Sequence, residues 1–287
     1  MLLNKIKRMF TGGEWRIAYK RKGSQSFKVI SVPKGMWAAD PMLFEFNGEH
    51  YLFAEIYENT KKKAGIGYFV FENGIPIFKG LIIDNDYHMS YPCVFEYNKN
   101  VYMIPESSAN NSLDLYMAIS FPNKWKKVSS VLTGCDLVDT TVFVKDDKVY
   151  LLSYTKNKNC WELILYSLDI NNSFLKEESR LSYAKNIGRP AGYLLEKNKY
   201  YLRPAQDSSV KYGERILFFK IKSFSPLQEE LVDKIDVTYL TLPSRAKRTH
   251  TYSEDSLYVV VDFFVEKFEL FHAIEIYKRS HYRKSKK

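Results

Sequence analysis

Five stretches of the chain place carboxyl, guanidinium, imidazole or aromatic groups at the ends of apolar runs. Asp40 opens one run and Glu55 closes its partner. Tyr91 and Glu106 take the same places about fifty residues later. Asp139 and Tyr154 follow, then Arg189 with Arg203, Gln206 and Asp207, then His250 with Asp262. Trp37, His88 and Tyr212 stand close to these positions. Carboxyl groups gathered around one pocket can divide into acid and base when their surroundings separate their pKa values. Arginines can clamp an anion through paired hydrogen bonds, and Tyr91, Trp37 and Tyr212 offer rings on which a sugar face can stack. Taken one at a time, these residues have plainer readings. A strand-end Asp such as Asp139 or Asp262 commonly caps backbone N–H groups. Recurrence at one place per repeat favours a shared functional mouth.

Other chemistry is poorly supported. His88 and His250 have no partners at metal-ligand spacing, so both read as hydrogen-bonded core or rim histidines and no metal site is expected. Gly65-Ile66-Gly67 is not followed by a helix and is no phosphate loop. Ser90 and Ser107 lack a nucleophile elbow. No cofactor motif is read.

The elements that must position these residues show a repeat. Residues 39–55, 90–106, 138–154, 189–205 and, more weakly, 248–263 each alternate apolar and polar positions, turn, and alternate again. Asn47-Gly48, Asn98 to Asn100, Asp146-Asp147 and Glu254-Asp255 supply turns, so each unit is a β-hairpin. Tyr51, Tyr102, Tyr150, Tyr201 and Tyr258 mark the period, with separations of 51, 48, 51 and 57 residues. Further strand-like runs follow the first hairpin near Ile66–Glu72 and Lys79–Ile83. Four strands per roughly fifty residues describe a propeller blade. The expected fold is therefore all-β, a five-bladed β-propeller, in one domain over residues 1–287. The run Trp15–Arg21 has no hairpin of its own and would complete the last blade. A β-sandwich is the structural alternative, but it leaves the period unexplained. In a propeller the two ends of each inner hairpin meet at one mouth, which would gather the polar residues named above.

Composition sets outer bounds. Of 287 residues, 45% are hydrophobic and 16% aromatic, which excludes a disordered chain and leans toward strands. The net charge of +10 is compatible with nucleic acid, membrane surfaces or phosphorylated ligands. The plainer reading is lysine spread over solvated loops. The clusters are Lys61 to Lys63, Lys124 to Lys127, Arg245 to Arg248 and a basic C-terminal tail at about 279–287; only the tail resembles an interaction arm. No nucleic-acid-reading motif is present, so no nucleic-acid partner is expected. Cys93, Cys135 and Cys160 are odd in number and widely spaced, which argues for a reducing compartment. With no signal-peptide pattern or membrane-length apolar run, the expected location is cytoplasmic, with peripheral membrane contact through basic residues left open.

Several longer stretches resemble one family. They are Trp37-Ala38-Ala39-Asp40-Pro41, His88-Met89-Ser90-Tyr91-Pro92, Tyr102 to Ser107, Phe121-Pro122-Asn123-Lys124-Trp125, and Arg203 to Asp207 with Tyr212-Gly213. They look like the N-terminal domain of plant glucosamine inositolphosphorylceramide transferases, a domain that recurs in bacterial proteins linked to surface polysaccharides. That domain is similar to five-bladed propeller glycosidases of the arabinanase, xylosidase and invertase kind. The resemblance implies Asp40 as base or nucleophile and Asp139 as its supporting carboxylate. Those glycosidases carry an acid Glu on a later blade. Here the fourth blade offers Arg189 and Gln206, and the nearest Glu is Glu106 on the second. Two readings stay open. One is an enzyme that transfers or cleaves a glycosyl group, with catalytic Asp40, Glu106 and Asp139 and with Trp37, Glu55, His88, Tyr91, Arg189, Arg203, Gln206, Asp207, Tyr212 and His250 binding substrate. The other is a non-catalytic glycan-binding module. In either case the expected partner is a sugar or a nucleotide- or lipid-linked sugar, phosphorylated or acidic given the charge balance and the two mouth arginines.

Overall fold

The computed structural model of the chain describes residues 11–197, 199–242 and 246–268. The basic tail and Arg245 lie outside the described residues. The N-terminal segment gives strands β1 (Thr11–Arg21) and β2 (Lys28–Val29). Four four-stranded units follow. The first is β3 (Met36–Phe46), β4 (Glu49–Glu58), β5 (Lys63–Glu72) and β6 (Ile75–Ile83). The second is β7 (Ser90–Tyr97), β8 (Asn100–Ser107), β9 (Ser112–Ser120) and β10 (Lys124–Thr133). The third is β11 (Val138–Lys145), β12 (Lys148–Asn157), β13 (Cys160–Asp169) and β14 (Phe174–Tyr183). In the fourth the innermost strand is broken into β15 (Arg189–Pro190) and β16 (Leu195–Lys197), followed by β17 (Tyr200–Asp207), β18 (Arg215–Phe224) and β19 (Leu227–Ile235). A last unit has β20 (Ala246–Arg248), β21 (Tyr252–Glu254) and β22 (Tyr258–Phe268).

These form five antiparallel sheets, one per blade, and the fold is a five-bladed β-propeller. In the last sheet β22 pairs along its whole length with β1, from Thr11 opposite Phe268 to Arg21 opposite Tyr258. The N-terminal strand thus completes the fifth blade and joins the two ends of the ring, as the unpaired run Trp15–Arg21 suggested. The first strands surround the axis: β3 lies against β7, β7 against β11, β11 against β15, and β21 against β3. Left-handed residues make the tight turns, with Asn47 and Gly48, Asn73 and Gly74, and Asp146 and Asp147 all at positive φ. That is the two-residue hairpin turn whose twist matches the strands. The core sits between blades. Ile17, Leu43, Leu52, Ile56, Phe69 and Val260 join the fifth blade to the first, and Cys93, Ile104, Leu115, Val142 and Leu151 join the second to the third.

The inner strands of the first three blades share one irregularity. Pairing skips between Ala39 and Met42, between Ser90 and Cys93, and between Val138 and Thr141. Each skip is a bulge holding a left-handed residue: Asp40 at φ 49°, Tyr91 at φ 46° and Asp139 at φ 47°. Bulges re-aim side chains, and here they mark the mouth end of each blade. Asp tolerates this conformation better than most residues, while a bulky Tyr does so only where its surroundings hold it.

Because β1 closes the ring, its buried side chains carry more than local packing. Ile17 is 1% exposed in the seam between the fifth and first blades. Ile17→Ala should lower unfolding free energy by about 3 kcal/mol in urea titrations, whereas Ile119→Ala, at a 64% exposed position, should change it by under about 0.5 kcal/mol.

Candidate functional site

Two buried clusters form the floor of the mouth. The first joins the first and fifth blades. Asp40 accepts a hydrogen bond from Thr251 Oγ1 at 2.8 Å, and its backbone N–H donates to Asp262 Oδ2 at 3.2 Å. Asp262 Oδ1 accepts the backbone N–H groups of His250 and Thr251 at 2.9 and 3.0 Å. Its other oxygen lies 2.6 Å from His250 Nδ1, and Asp40 Oδ1 lies 3.7 Å from the same nitrogen. The imidazole is sandwiched by ring contacts, with Trp15 stacked at 3.8 Å and Tyr212 edge-on at 5.2 Å. Burial works against a charged His250, but Asp262 beside it prevails and its pKa rises to about 9. Burial pushes Asp40 up to about 8, against the opposing pull of His250 and with the help of Asp139 and Glu55. At neutral pH this cluster is an imidazolium–carboxylate pair with a mostly protonated Asp40 next to it.

The second cluster joins the second, third and fourth blades. Arg189 binds both oxygens of Asp139, Nη2 to Oδ1 at 3.0 Å, and reaches Glu106 Oε2 at 3.2 Å. Glu106 also accepts the Asp139 backbone N–H at 3.1 Å and the Ser108 hydroxyl at 2.9 Å. Burial, then the neighbouring Asp139, raises Glu106 to about 8. Burial would raise Asp139 too, but the Arg189 guanidinium holds it below the ordinary carboxylate range. The proton of this carboxyl pair therefore belongs on Glu106, in the manner of two acids that cannot both ionise in one place. Gln206 completes the cluster, with Nε2 donating to Asp139 Oδ2 at 2.6 Å and Oε1 buried with no partner among the described residues.

Around these floors stands a more open rim. His88 is 41% exposed and its Nε2 lies 3.2 Å from the nearly buried Glu55. Tyr212 is 45% exposed and its ring lies under the Arg189 guanidinium at 5.5 Å. Gly213 next to it is at φ +61°, and any side chain there would meet His250 Cβ at 2.8 Å. That close approach is what lets the 207–214 loop lean over the mouth.

Asp40, Glu55, His88, Glu106, Asp139, Arg189, Gln206, Tyr212 and His250 are thus brought together. Other expected residues are placed differently. Arg203 is fully buried four residues below the mouth end of β17, on the face turned to the third blade. It is bound to Glu229, to the Gly188 carbonyl and to the Tyr183 hydroxyl, so it is no clamp for a ligand. Tyr91 is also fully buried. Its hydroxyl bonds Thr141 at 2.7 Å and accepts the Gly192 N–H at 2.6 Å, tying three blades together and leaving no ring face for stacking. Asp207 caps its own turn through Ser209 and pairs with Arg215 at 3.5 Å. Trp37 stacks on Tyr57 at 4.6 Å and lines a recess beside the mouth. Arg189 does face the mouth, yet its charge is already met by Asp139 and Glu106. The donor atoms of Asp40, His250 and Asp262 lie within 4.8 Å of one another, close enough to hold an ion. These atoms, however, already satisfy one another and the backbone. Trp15, Thr251 and Ser108 are neighbours that no local pattern marked: Thr251 meets Asp40 of another blade, Trp15 meets His250 only through closure of the ring, and Ser108 lies just past the end of its hairpin.

The chain matches, over residues 11–254, the family described as glucosamine inositolphosphorylceramide transferase 1, N-terminal. It belongs to this family. It is 30% identical over 230 residues to glucosamine inositolphosphorylceramide transferase 1 of Arabidopsis thaliana, covering 74% of this chain and 29% of that protein. The protein of the same name from Oryza sativa subsp. indica is 28% identical over 201 residues, covering 66% of this chain and 27% of that one. The chain thus spans under a third of the length of these relatives. Its fold is shared with an α-L-arabinofuranosidase from Clostridium thermocellum (TM-score 0.56, 15% identity, 76% of this chain and 78% of the other). It is shared also with a family 117 glycoside hydrolase from Zobellia galactanivorans (0.57, 12%, 92% of each chain).

The site ties stability to pH. Asp40 and Glu106 rise from ordinary values of 3.8 and 4.5 to about 8, and His250 from 6.5 to about 9. A raised carboxyl leaves the folded state holding the extra proton, so stability falls as pH climbs from about 4 to about 8. His250 stabilises fully below its unfolded value and loses that contribution as pH passes 9. Both effects have one sign. The thermal midpoint should be lower at pH 9 than at pH 6, and Asp40→Asn should flatten that slope. A midpoint that rises over this range would contradict the charge assignment.

Proposed function

We propose that the mouth binds a neutral or amino sugar and that the protein transfers or cleaves a glycosyl group there by acid–base chemistry. The observation that carries this reading is the Glu106–Asp139–Arg189 cluster. A carboxyl that keeps its proton at neutral pH, beside an ionised carboxylate, at a partly open position, is what a general acid requires. Glu106 is the proton donor in this reading, Asp139 raises its pKa, and Asp40 is the base. Membership of the family and the glycosidase fold support a carbohydrate role; its setting in glycolipid or polysaccharide synthesis, at a cytoplasmic or membrane-surface location, is part of the proposal.

The charge balance argues against an anionic ligand group in the mouth itself. Asp40, Glu55, Glu106, Asp139 and Asp262 converge there, and the cations Arg189, His250 and His88 are each paired with one of them. A phosphate entering the floor would find these three cations already committed. The phosphate of a nucleotide- or lipid-linked donor would have to stay outside it.

A second reading, a glycan-binding module without turnover, is favoured by one observation: Asp40 is only 4% exposed, so a water or hydroxyl reaches it only after local movement.

The two are separated by paired measurements of binding and product formation over neutral, amino and acidic sugars, free and as nucleotide- or lipid-linked donors. Glu106→Gln and Asp40→Asn should each keep ligand affinity within roughly tenfold while lowering turnover by about 10²-fold or more. Turnover in the wild type should follow a narrow bell. It needs ionised Asp40 and protonated Glu106, both titrating at about 8, so the competent fraction peaks near pH 8 at about a quarter of the molecules. If the wild type binds a glycan, forms no product across the panel and responds to Asp40→Asn in affinity alone, the binding-module reading replaces the enzymatic one.

A further inference from the structure

A second recess lies beside the mouth. It is a cleft of about 360 Å³ between β1 and β2 of the fifth blade and the start of β3, with Trp15, Trp37, Met36 and Val32 in its walls and Ser31 and Asn59 at its exposed rim. That volume falls within the roughly 300–1,000 Å³ of small-molecule sites. The cleft opens on the mouth face, because Trp37 precedes Asp40 by three residues on β3 and Tyr57 follows Glu55 by two on β4. Two chains of ring contacts join it to the mouth. Trp15 stacks on His250 at 3.8 Å, and that imidazole is the one held by Asp262. Trp37 stacks on Tyr57 at 4.6 Å with their planes 12° apart, and Tyr57 packs 6.4 Å from His88, the residue paired with Glu55.

The lining chemistry indicates what fits. Indole, thioether and branched apolar groups give flat and apolar walls, while a hydroxyl and an amide at the rim offer hydrogen bonds. The cleft's guanidinium, Arg16, is already bound by Glu14 at 2.6 Å, and Lys34 adds one ammonium group at its exposed edge. A pyranose or furanose ring, apolar on its faces and polar at its edge, matches such a site. The floor clusters of the mouth are compact and internally bonded, so they leave room for a limited part of a ligand. A ring attached to that part and lying over the seam of the fifth and first blades would meet Trp37.

We propose that the cleft is a second sugar subsite, which receives the ring joined to the mouth-bound sugar. It rests on the reading of the mouth as a sugar site, and it makes the ligand at least two rings long.

The test compares methyl glycosides, p-nitrophenyl glycosides and methyl-capped disaccharides of glucose, galactose, glucosamine, N-acetylglucosamine, xylose and arabinose, by titration calorimetry on the whole chain. For any sugar that binds, adding a second ring should tighten binding by about fivefold, the scale of one good ring-stacking contact. In Trp37→Ala, which removes the platform, and in Asn59→Phe, which fills the cleft from its exposed rim, the ratio between two-ring and one-ring ligands should fall to about one. Should Trp37→Ala fail to fold, Asn59→Phe decides. A ratio of one in the wild type, or a gain that survives Asn59→Phe, overturns the cleft and leaves the mouth reading standing. A gain for the nitrophenyl ring without one for the disaccharides overturns a sugar as the occupant. If no member of the panel binds at all, the mouth reading fails and this inference falls with it.

Discussion

Charge compensation at the propeller axis governs this molecule. The fold brings the inner strands to one place and with them carboxyl groups that have little water around them. An ionised carboxylate in such a setting is costly unless a cation and hydrogen bonds answer it. The protein answers three of them, Asp262 with His250, Asp139 with Arg189 and Glu55 with His88, and leaves Asp40 and Glu106 to keep their protons. The Asp139–Arg189 pair joins the third blade to the fourth, and the Asp262–His250 pair, within the fifth, is tied to the first through the Asp40 backbone, so the contacts that settle the charge also lock blades together. Removing one partner leaves a buried charge behind, which is why the mouth and the stability of the ring cannot be altered independently.

Much of the architecture was legible in the sequence because blades repeat. Tyr51, Tyr102, Tyr150, Tyr201 and Tyr258 report the period, Asn47-Gly48 reports a hairpin turn, and a strand at Trp15–Arg21 with no partner of its own points to closure of the ring. Less visible were the breaks in the inner strands of the fourth and fifth blades, where only Arg189–Pro190 and Ala246–Arg248 pair before the chain departs and returns. The alternation there is too short to separate a broken strand from a continuous one.

The site was legible in its ends and not in its depths. Hairpin geometry indicates which residues stand at the same end of their blades, since it needs only the positions of the turns. It does not tell how far a side chain sits from the rim or which neighbouring blade it faces. Arg203 and Tyr91 show the consequence: both lie near the right end, and both are spent inside the protein. The partners that decide protonation are equally remote in sequence. Thr251 reaches Asp40 across 211 residues and Arg189 reaches Glu106 across 83, separations at which a single sequence carries no pairing signal.

The left-handed bulge at the mouth end of the first three blades has a further consequence. One backbone posture is repeated three times, and only the side chain mounted on it differs: a carboxyl in the first and third blades, a phenol in the second. The posture sets direction, and the side chain sets chemistry. A ring built this way works as a set of interchangeable sockets. Its specificity can be rewritten one blade at a time without redrawing the strands, provided that each new occupant tolerates a positive φ and finds its counterpart on the blade next door.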